Sequence, residues 1–304
     1  MRRHPIDGLS SDTSDTSDTE VGSYPALVSV WDRRDDRIPL RESARIAPVR
    51  SAFRLWRVFG TGVSFAVFGV SALILTLFVF PLCSLPGGDT RRKQARVQRV
   101  IHHAYHLFVK MMEGLGLIRT DWIGAEKLRT PGPHLIVANH PTLIDIVQLI
   151  SQLPQADCVI GVDYARNPFL ARSASQAGYI TNAQGAGVVD ACAEKLRAGR
   201  TVVLFPEGTR SSVVGMRRFQ RGAAHIALRA DVPLVPVVIS CVPRMLRKGQ
   251  PWWDVPERPS QYTISVLDPI APQSIGASDS LAARRLTSHL RERIGERLDR
   301  AALR

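Results

Sequence analysis

Short apolar runs alternate with amphipathic segments from about residue 124 onward. The apolar runs predict buried strands, which lie at residues 135–138, 158–162, 201–205, 234–240 and 262–267. Apolar positions three and four residues apart predict helices between and after them, at residues 142–152, 168–177, 187–198, 220–230 and 279–303. This order is typical of an α/β fold, so we expect a single domain with a largely parallel sheet flanked by helices.

A second apolar pattern precedes this domain. Residues 58–82 contain no charged side chain, and a run of about 25 residues is long enough to cross a hydrocarbon core. Basic residues flank both ends, so the positive-inside rule does not orient it. Gly60, Gly62, Gly69 and Pro81 allow a bent or re-entrant segment. We therefore expect an N-terminal membrane helix or helical hairpin, followed by an amphipathic helix over residues 96–117.

The ends of the chain differ from its middle in composition. Residues 11–19 repeat Ser-Asp-Thr three times and have no hydrophobic face, which is typical of a disordered segment. The expected division is a polar and Arg-rich tail over residues 1–50, a membrane-associated helical segment over 51–118, a catalytic α/β domain over 119–270, and a charged C-terminal helix over 271–304.

The net charge of the chain indicates which class of partner it binds. The chain has 40 Lys and Arg against 27 Asp and Glu, a net charge of +13, which favours anionic partners such as a lipid surface or phosphorylated substrates. No aromatic residues interleave a basic patch, so we expect no nucleic-acid partner. The four cysteines are scattered without a CxxC pair, and we expect no metal site.

Candidate chemistry follows the first strand of this domain. The strand at residues 135–138 leads to His140 and Pro141, and Asp145 stands five residues after the histidine. In a regular helix, side chains at that spacing are rotated by about 500° and point apart. If His140 lies on a turn ahead of a helix that begins near Pro141, its ring can fold back to Asp145. A carboxylate would then orient an imidazole, which is the arrangement of a general base.

A second motif follows the strand at residues 201–205. Pro206 ends the strand, Gly208 permits a tight turn, and Thr209 and Arg210 supply a hydroxyl and a bidentate anion donor. Backbone amides in such a turn bind anions, which predicts a phosphate or carboxylate site. The alternative is an ordinary loop with solvated side chains. Because functional groups collect at the carboxyl ends of parallel strands, we expect the two motifs to share one edge of the sheet.

The two motifs together resemble those of the glycerolipid acyltransferases typified by bacterial 1-acylglycerol-3-phosphate acyltransferase. Residues 139–145 read Asn-His-Pro-Thr-Leu-Ile-Asp, and residues 205–210 read Phe-Pro-Glu-Gly-Thr-Arg. The likeness continues at residues 219–223, which resemble the family's Phe-Lys-x-Gly segment, and at residues 232–237, which match its Val-Pro-x-x-Pro block.

The resemblance implies transfer of an acyl group from acyl-CoA or an acyl carrier protein to the hydroxyl of a membrane lipid, without a cofactor. His140 would be the general base and Asp145 its orienting partner, with no acyl-enzyme. The acceptor would be bound by Glu207, Gly208, Thr209 and Arg210, with Glu207 orienting Arg210 or a glycerol hydroxyl because an anion cannot bind phosphate directly. The Val-Pro-x-x-Pro block would shape the acyl pocket or the sheet edge. The resemblance also implies a membrane-associated enzyme of phospholipid synthesis, with its catalytic domain facing the cytoplasm.

One departure from the family pattern bears on the acceptor. The family's Gly-x-x-Phe-x-x-Arg segment aligns with residues 178–184, where Thr181 replaces the phenylalanine and Gln184 replaces the arginine. The replacement cations that we consider are Arg172, Arg217 and Arg221. The favoured acceptor is 1-acylglycerol-3-phosphate. The alternatives are another acceptor such as a lyso-amino-acid lipid, or a non-catalytic protein that binds lipids or acyl thioesters.

Overall fold

The computed structural model describes residues 47–85, 87–162, 164, 168–182, 185, 187–212, 215–272 and 279–302. Within them, seven strands form one sheet in the order β1-β7-β6-β2-β5-β3-β4. The strands are β1 Ile118–Ile123, β2 Leu135–Ala138, β3 Asp157–Ile160, β4 Ile180–Thr181, β5 Val202–Leu204, β6 Leu234–Val242 and β7 Ser260–Val266. Strands β6 and β7 pair antiparallel, and the other neighbours pair parallel. The expected α/β fold with a largely parallel sheet is confirmed.

Helices cover both faces of the sheet. They are α1 Ala47–Ile74, α2 Phe80–Ser84, α3 Thr90–Gly114, α4 Asp145–Ile150, α5 Pro168–Ala177, α6 Gly187–Arg197, α7 Gly222–Ala230 and α8 Asp279–Ala302. Helices α3 and α4 pack in one buried cluster, while α6, α7 and α8 pack in the other. The charged helix α8 buries Leu286, Leu290 and Ile294 and contacts β6 and α7, so it is packed on the sheet.

Two strands were not predicted, and both have weak apolar patterns. Strand β1 is at an edge of the sheet, and its residues alternate between buried or half-buried and exposed, with Arg119 and Asp121 on the exposed side. Strand β4 has only two residues. A half-polar strand and a very short strand carry little of the periodicity from which strands are inferred.

The apolar segment forms a long helix with one irregular section. After α1, residues Leu75–Val79 are π-helical, and α2 then begins with Pro81 in its first turn. Proline lacks the N–H that an α-helix interior needs, which accounts for a change of helical geometry at this point. Residues Phe53–Cys83 form a candidate membrane helix of 31 residues. The tail that we expect over residues 1–50 lies almost wholly outside the described residues.

One local expectation is wrong, and one of the two alternatives for another segment is excluded. Helix α4 begins at Asp145, so Pro141 is not in its first turn; residues 141–144 form a turn closed by the Asp145 side chain, whose carboxylate accepts from the Thr142 N–H at 2.7 Å. The Val-Pro-x-x-Pro block is not at the sheet edge, because it leads into β6, which lies between β7 and β2. Its Pro236 needs no N–H there and uses its carbonyl to accept from the Leu267 N–H at 2.9 Å.

Candidate active site

The carboxyl end of β2 is tied to the neighbouring strand by a buried asparagine. The Asn139 side-chain amide donates to the Ile239 carbonyl and accepts from the Ile239 N–H, both at 2.8 Å. A buried amide that satisfies both backbone groups of a neighbour leaves little freedom for the chain that follows. This pairing sets where the backbone of the next residue, His140, leaves the sheet.

The predicted contact between His140 and Asp145 is confirmed. His140 Nδ1 lies 2.7 Å from Asp145 Oδ2, and Asp145 is fully buried. Its other oxygen accepts from the Thr142 hydroxyl at 2.5 Å, and that hydroxyl accepts from Tyr262 OH at 2.9 Å. Burial raises the pKa of Tyr262 well above its ordinary value, so its hydroxyl keeps the proton that it donates. The carboxylate is therefore held in one orientation toward the imidazole.

The two motifs meet through Glu207. Its Oε1 accepts from the His140 N–H at 2.9 Å and from the Ser211 hydroxyl at 2.8 Å, while its Oε2 accepts from the Arg217 N–H at 2.7 Å. The Ser211 N–H in turn donates to the His140 carbonyl at 2.7 Å. We expected Glu207 to orient Arg210 or a glycerol hydroxyl of the acceptor; in the structure both carboxylate oxygens accept instead from His140, Ser211 and Arg217. Glu207 is a brace between the two motifs.

The His140 imidazole contacts the Phe205 ring, which directly precedes the tight turn at Gly208. The His140 ring stacks on Phe205 with ring centroids 4.1 Å apart. Beyond Phe205, Gly208 has φ +69°, and a Cβ there would lie 2.7 Å from the Gln220 side chain, so the tight turn requires glycine. Arg210 Nη1 donates to the Leu246 and Arg247 carbonyls at 3.0 and 3.1 Å. Burial lowers the pKa of Arg210, and the charge of Asp145 opposes that shift.

A cavity of about 1040 Å³ opens at the histidine. Its lining at the carboxyl ends of β2 and β5 includes His140, Thr209 and Arg210, and most of its other lining residues are apolar. Apolar side chains from α1, α3, α6 and α7 line it, among them Phe65, Phe68, Phe108, Met112, Val188 and Ile226. A second cavity of about 400 Å³ shares Phe68, Tyr105, Tyr164 and Tyr179 with the first. A volume at the upper end of the range for ligand pockets, with few polar groups in the lining, suits a long apolar ligand with a polar head.

The three arginines that we considered as replacement cations differ in their position relative to the cavity. Arg217 lies beside the turn, where its Nε donates to the Arg210 carbonyl at 3.2 Å. Arg221 precedes α7, next to the cavity residues Gln220 and Gly222. Arg172 is exposed on α5 and is not among the described residues that line the cavity. Gln184 lies outside the described residues.

One cation was missed by the sequence analysis. Lys248, in the connection between β6 and β7, lines the cavity and donates from Nζ to the Thr209 hydroxyl at 3.1 Å. The run Arg-Met-Leu-Arg-Lys at residues 244–248 is visibly basic. Nothing in its spacing shows that it folds against a turn 39 residues earlier.

The cysteines do not contribute to this site. Burial raises the pKa of Cys241 to about 11 and that of Cys192 to about 12, so both thiols stay protonated near neutral pH. In the part of the chain that the structure describes, no three His, Cys, Asp or Glu side chains are grouped so that they could hold a metal ion. Among the described residues, the groups suited to chemistry at this site are the His140 imidazole, the Asp145 carboxylate and the turn that contains Arg210.

Comparisons with known proteins agree with this arrangement. The acyltransferase family model matches residues 119–240, which include both motifs. The 1-acyl-sn-glycerol-3-phosphate acyltransferase alpha of Mus musculus is 25% identical over 222 residues, 68% of this chain and 71% of the mouse protein. The 1-acyl-sn-glycerol-3-phosphate acyltransferase of Saccharomyces cerevisiae is 30% identical over 168 residues, 52% of this chain and 52% of the yeast protein.

The fold has a solved counterpart. The crystal structure of the 1-acyl-sn-glycerophosphate acyltransferase PlsC from Thermotoga maritima superposes with a TM-score of 0.66 over 84% of this chain and 98% of the other, at 19% identity. That likeness concerns the fold, while the family model and the sequence relatives concern the family. Together they show that residues 119–240 match the acyltransferase family and that the chain is similar to 1-acyl-sn-glycerol-3-phosphate acyltransferases, which are O-acyltransferases.

Proposed function

We propose that this protein transfers an acyl group from an acyl thioester to the free hydroxyl of 1-acylglycerol-3-phosphate, with His140 as the general base. The donor is acyl-CoA or acyl carrier protein. The observation that carries the proposal is the 2.7 Å contact of His140 Nδ1 with the buried Asp145, where His140 lines a largely apolar cavity. The names of the relatives support the acceptor.

The proton has a defined path in this mechanism. Nδ1–H donates to Asp145, so Nε2 is the ring nitrogen that accepts the proton of the acceptor hydroxyl. The oxygen attacks the thioester carbonyl carbon, and the tetrahedral intermediate then expels the thiolate. The imidazolium returns its proton to the sulfur, which gives an ester and a free thiol. Asp145 orients the ring and stabilises the imidazolium during these steps.

The apolar walls and the polar lining of the cavity suit different parts of the substrates. Its apolar walls suit a fatty acyl chain, which would bring the thioester carbonyl to the histidine when the chain is inserted. The turn at Gly208, Thr209 and Arg210 suits an anionic headgroup. Glu207 acts indirectly by holding the His140 backbone. No side chain needs to become acylated.

We also propose that α1 lies along the membrane surface and does not cross the bilayer. Trp56 Nε1 donates to the Leu115 carbonyl, Phe68 packs on Tyr105, and the Thr76 hydroxyl bonds to that of Ser173 at 2.9 Å. These contacts follow about 30 Å of helix, the thickness of a hydrocarbon core. A crossing would therefore place part of the domain in lipid.

The face of α1 away from the domain exposes apolar side chains such as Phe59 and Phe78, which suits partial burial in one leaflet. The catalytic domain would then face the cytoplasm, where acyl thioesters are available. Labelling of single cysteines introduced at Arg54 and Arg92 in right-side-out and inverted vesicles tests this arrangement. Both sites should react from the same side, and reaction from opposite sides would contradict it.

The test of the proposed reaction uses the full chain in lipid nanodiscs. Release of thiol from acyl-CoA and formation of diacylglycerol 3-phosphate are measured with 1-acylglycerol-3-phosphate as acceptor. The wild-type chain should release thiol and form product in equal amounts. His140→Ala should abolish both, while His106→Ala, which changes an exposed histidine on α3, should leave them unchanged. Binding of acyl-CoA without thiol release by the wild type would instead indicate a non-catalytic protein.

A further inference from the structure

The connection between β6 and β7 reaches into the active site, although it lies outside both acyltransferase motifs and beyond residues 119–240. Two of its residues, Leu246 and Lys248, line the cavity together with His140 and Arg210. Leu246 is buried and has φ +51°, a strained backbone conformation for a branched side chain. Such a conformation persists only where the surroundings hold it.

Hydrogen bonds from three parts of the chain hold this backbone. Arg210 donates to the Leu246 and Arg247 carbonyls, and the Leu143 N–H donates to the Leu246 carbonyl at 3.2 Å. The Arg247 N–H donates to Gln250 Oε1 at 2.9 Å. The Leu143 N–H lies in the turn after His140, Arg210 belongs to the second motif, and the Arg247 N–H lies in the connection itself. The position of Lys248 is therefore set by the active-site motifs.

Lys248 is the cation that this arrangement presents to the cavity. Its Nζ donates to the Thr209 hydroxyl, which uses one of the three N–H donors of the ammonium group. Among the residues that the structure describes, no carboxylate lies within 4.0 Å of this Nζ. Arg210, in contrast, is partly buried, and its Nη1 is committed to two backbone carbonyls. The exposed ammonium is better placed to pair with an incoming anion.

We propose that Lys248 binds the phosphate monoester of the acceptor and sets the preference for phosphorylated over uncharged lysolipids, with Arg210 positioning the backbone that carries it. This inference rests on the proposed transfer to a lysolipid hydroxyl. The contact is charge-assisted and is made equally in the ground state and the transition state, because the phosphate does not react. Its loss should therefore change KM for the phosphorylated acceptor and leave kcat nearly unchanged.

The experiment compares Lys248→Met, which removes the charge at similar length, with Lys248→Arg, which keeps it. Lys110→Met is the matched control on the exposed side of α3. Each variant is assayed with 1-oleoylglycerol 3-phosphate and with 1-oleoylglycerol. Lys248→Met should raise KM for the phosphorylated acceptor about tenfold, equivalent to about 1.4 kcal/mol, and should not change KM for the uncharged one. Lys248→Arg and Lys110→Met should stay within about threefold of the wild type.

Equal changes with both acceptors, or no change with the phosphorylated one, would overturn the proposal. A second measurement separates it from the proposed reaction. Binding of 1-oleoylglycerol 3-phosphate is titrated calorimetrically to His140→Ala and to the His140→Ala, Lys248→Met double variant, neither of which needs to turn over. Weaker binding to the double variant supports the role of Lys248 even if the wild type transfers no acyl group, and equal binding rejects that role even if transfer is observed.

Discussion

Two buried aspartates show how differently this fold uses the two ends of its parallel strands. Asp145 follows the carboxyl end of β2, and Asp157 stands at the amino end of β3; both side chains are fully buried. Asp145 contacts an imidazole that lines a cavity, together with a hydroxyl and an N–H. Asp157 pairs with Lys195 at 2.8 Å and with Arg200 at 2.6 Å.

The difference lies in what the partners can do. Lys195 and Arg200 bind Asp157 through ion pairs, which join α6 and its following turn to the sheet without leaving a group for chemistry. His140 can gain and lose a proton, and Asp145 holds its ring in one orientation. A buried carboxylate thus joins elements of the fold or orients a group that can transfer protons, according to its partner and to which end of the sheet it occupies.

The largest effect that we expect is on turnover in Asp145→Asn. Asparagine keeps the shape but not the charge, so the imidazolium loses its stabilising partner and the ring its preferred tautomer. We expect kcat to fall by roughly 10³–10⁴-fold. The thermal midpoint in nanodiscs should fall less than in Asp157→Asn, because no Lys or Arg among the described residues pairs with Asp145. Steady-state thiol release and calorimetry measure the two quantities. A large fall of the thermal midpoint together with preserved turnover would mean that Asp145, like Asp157, acts on stability and not on turnover.

The reciprocal change, Asp157→Asn, should act on stability. It leaves Lys195 and Arg200 without their buried counter-charge, and because both cations keep some contact with water, we expect a loss of about 3 kcal/mol in the free energy of unfolding. Turnover per folded molecule should match the wild type. Asp190→Asn is the control, since Asp190 pairs with Arg229 in water and should change stability by less than about 0.5 kcal/mol.

A smaller effect should follow from Glu207→Gln, which alters the brace and leaves the imidazole pair in place. The new amide group cannot accept from all the donors that Glu207 satisfies, so the His140 backbone should shift. A misplacement of about 1 Å costs about 10²-fold, and we expect this loss in kcat with KM for the acceptor changed only slightly. The exposed Glu194→Gln is the control. A higher KM with unchanged kcat would instead place Glu207 in contact with the acceptor.

Some features of the fold are local, and these could be predicted from the sequence. The buried strands β2, β3, β5, β6 and β7 were predicted to within two residues at either end, because each is a short apolar run bounded by polar or turn residues. The contact of His140 with Asp145 was also predicted, since it spans only five residues. The edge strand β1 was not, because its polar residues obscure the apolar alternation.

The sequence by itself determined the buried strands, the apolar helix, the two motifs and the family that they resemble, because these depend on periodicity and on side chains close together in the chain. Only the tertiary structure decided that Glu207 braces His140 across 67 residues, that Lys248 enters the site across 39 residues from Thr209, and that α1 lies along the domain. Such contacts depend on strand order and on how connections pack at one end of the sheet. No local pattern encodes them, because the partners are brought together only when the whole core forms.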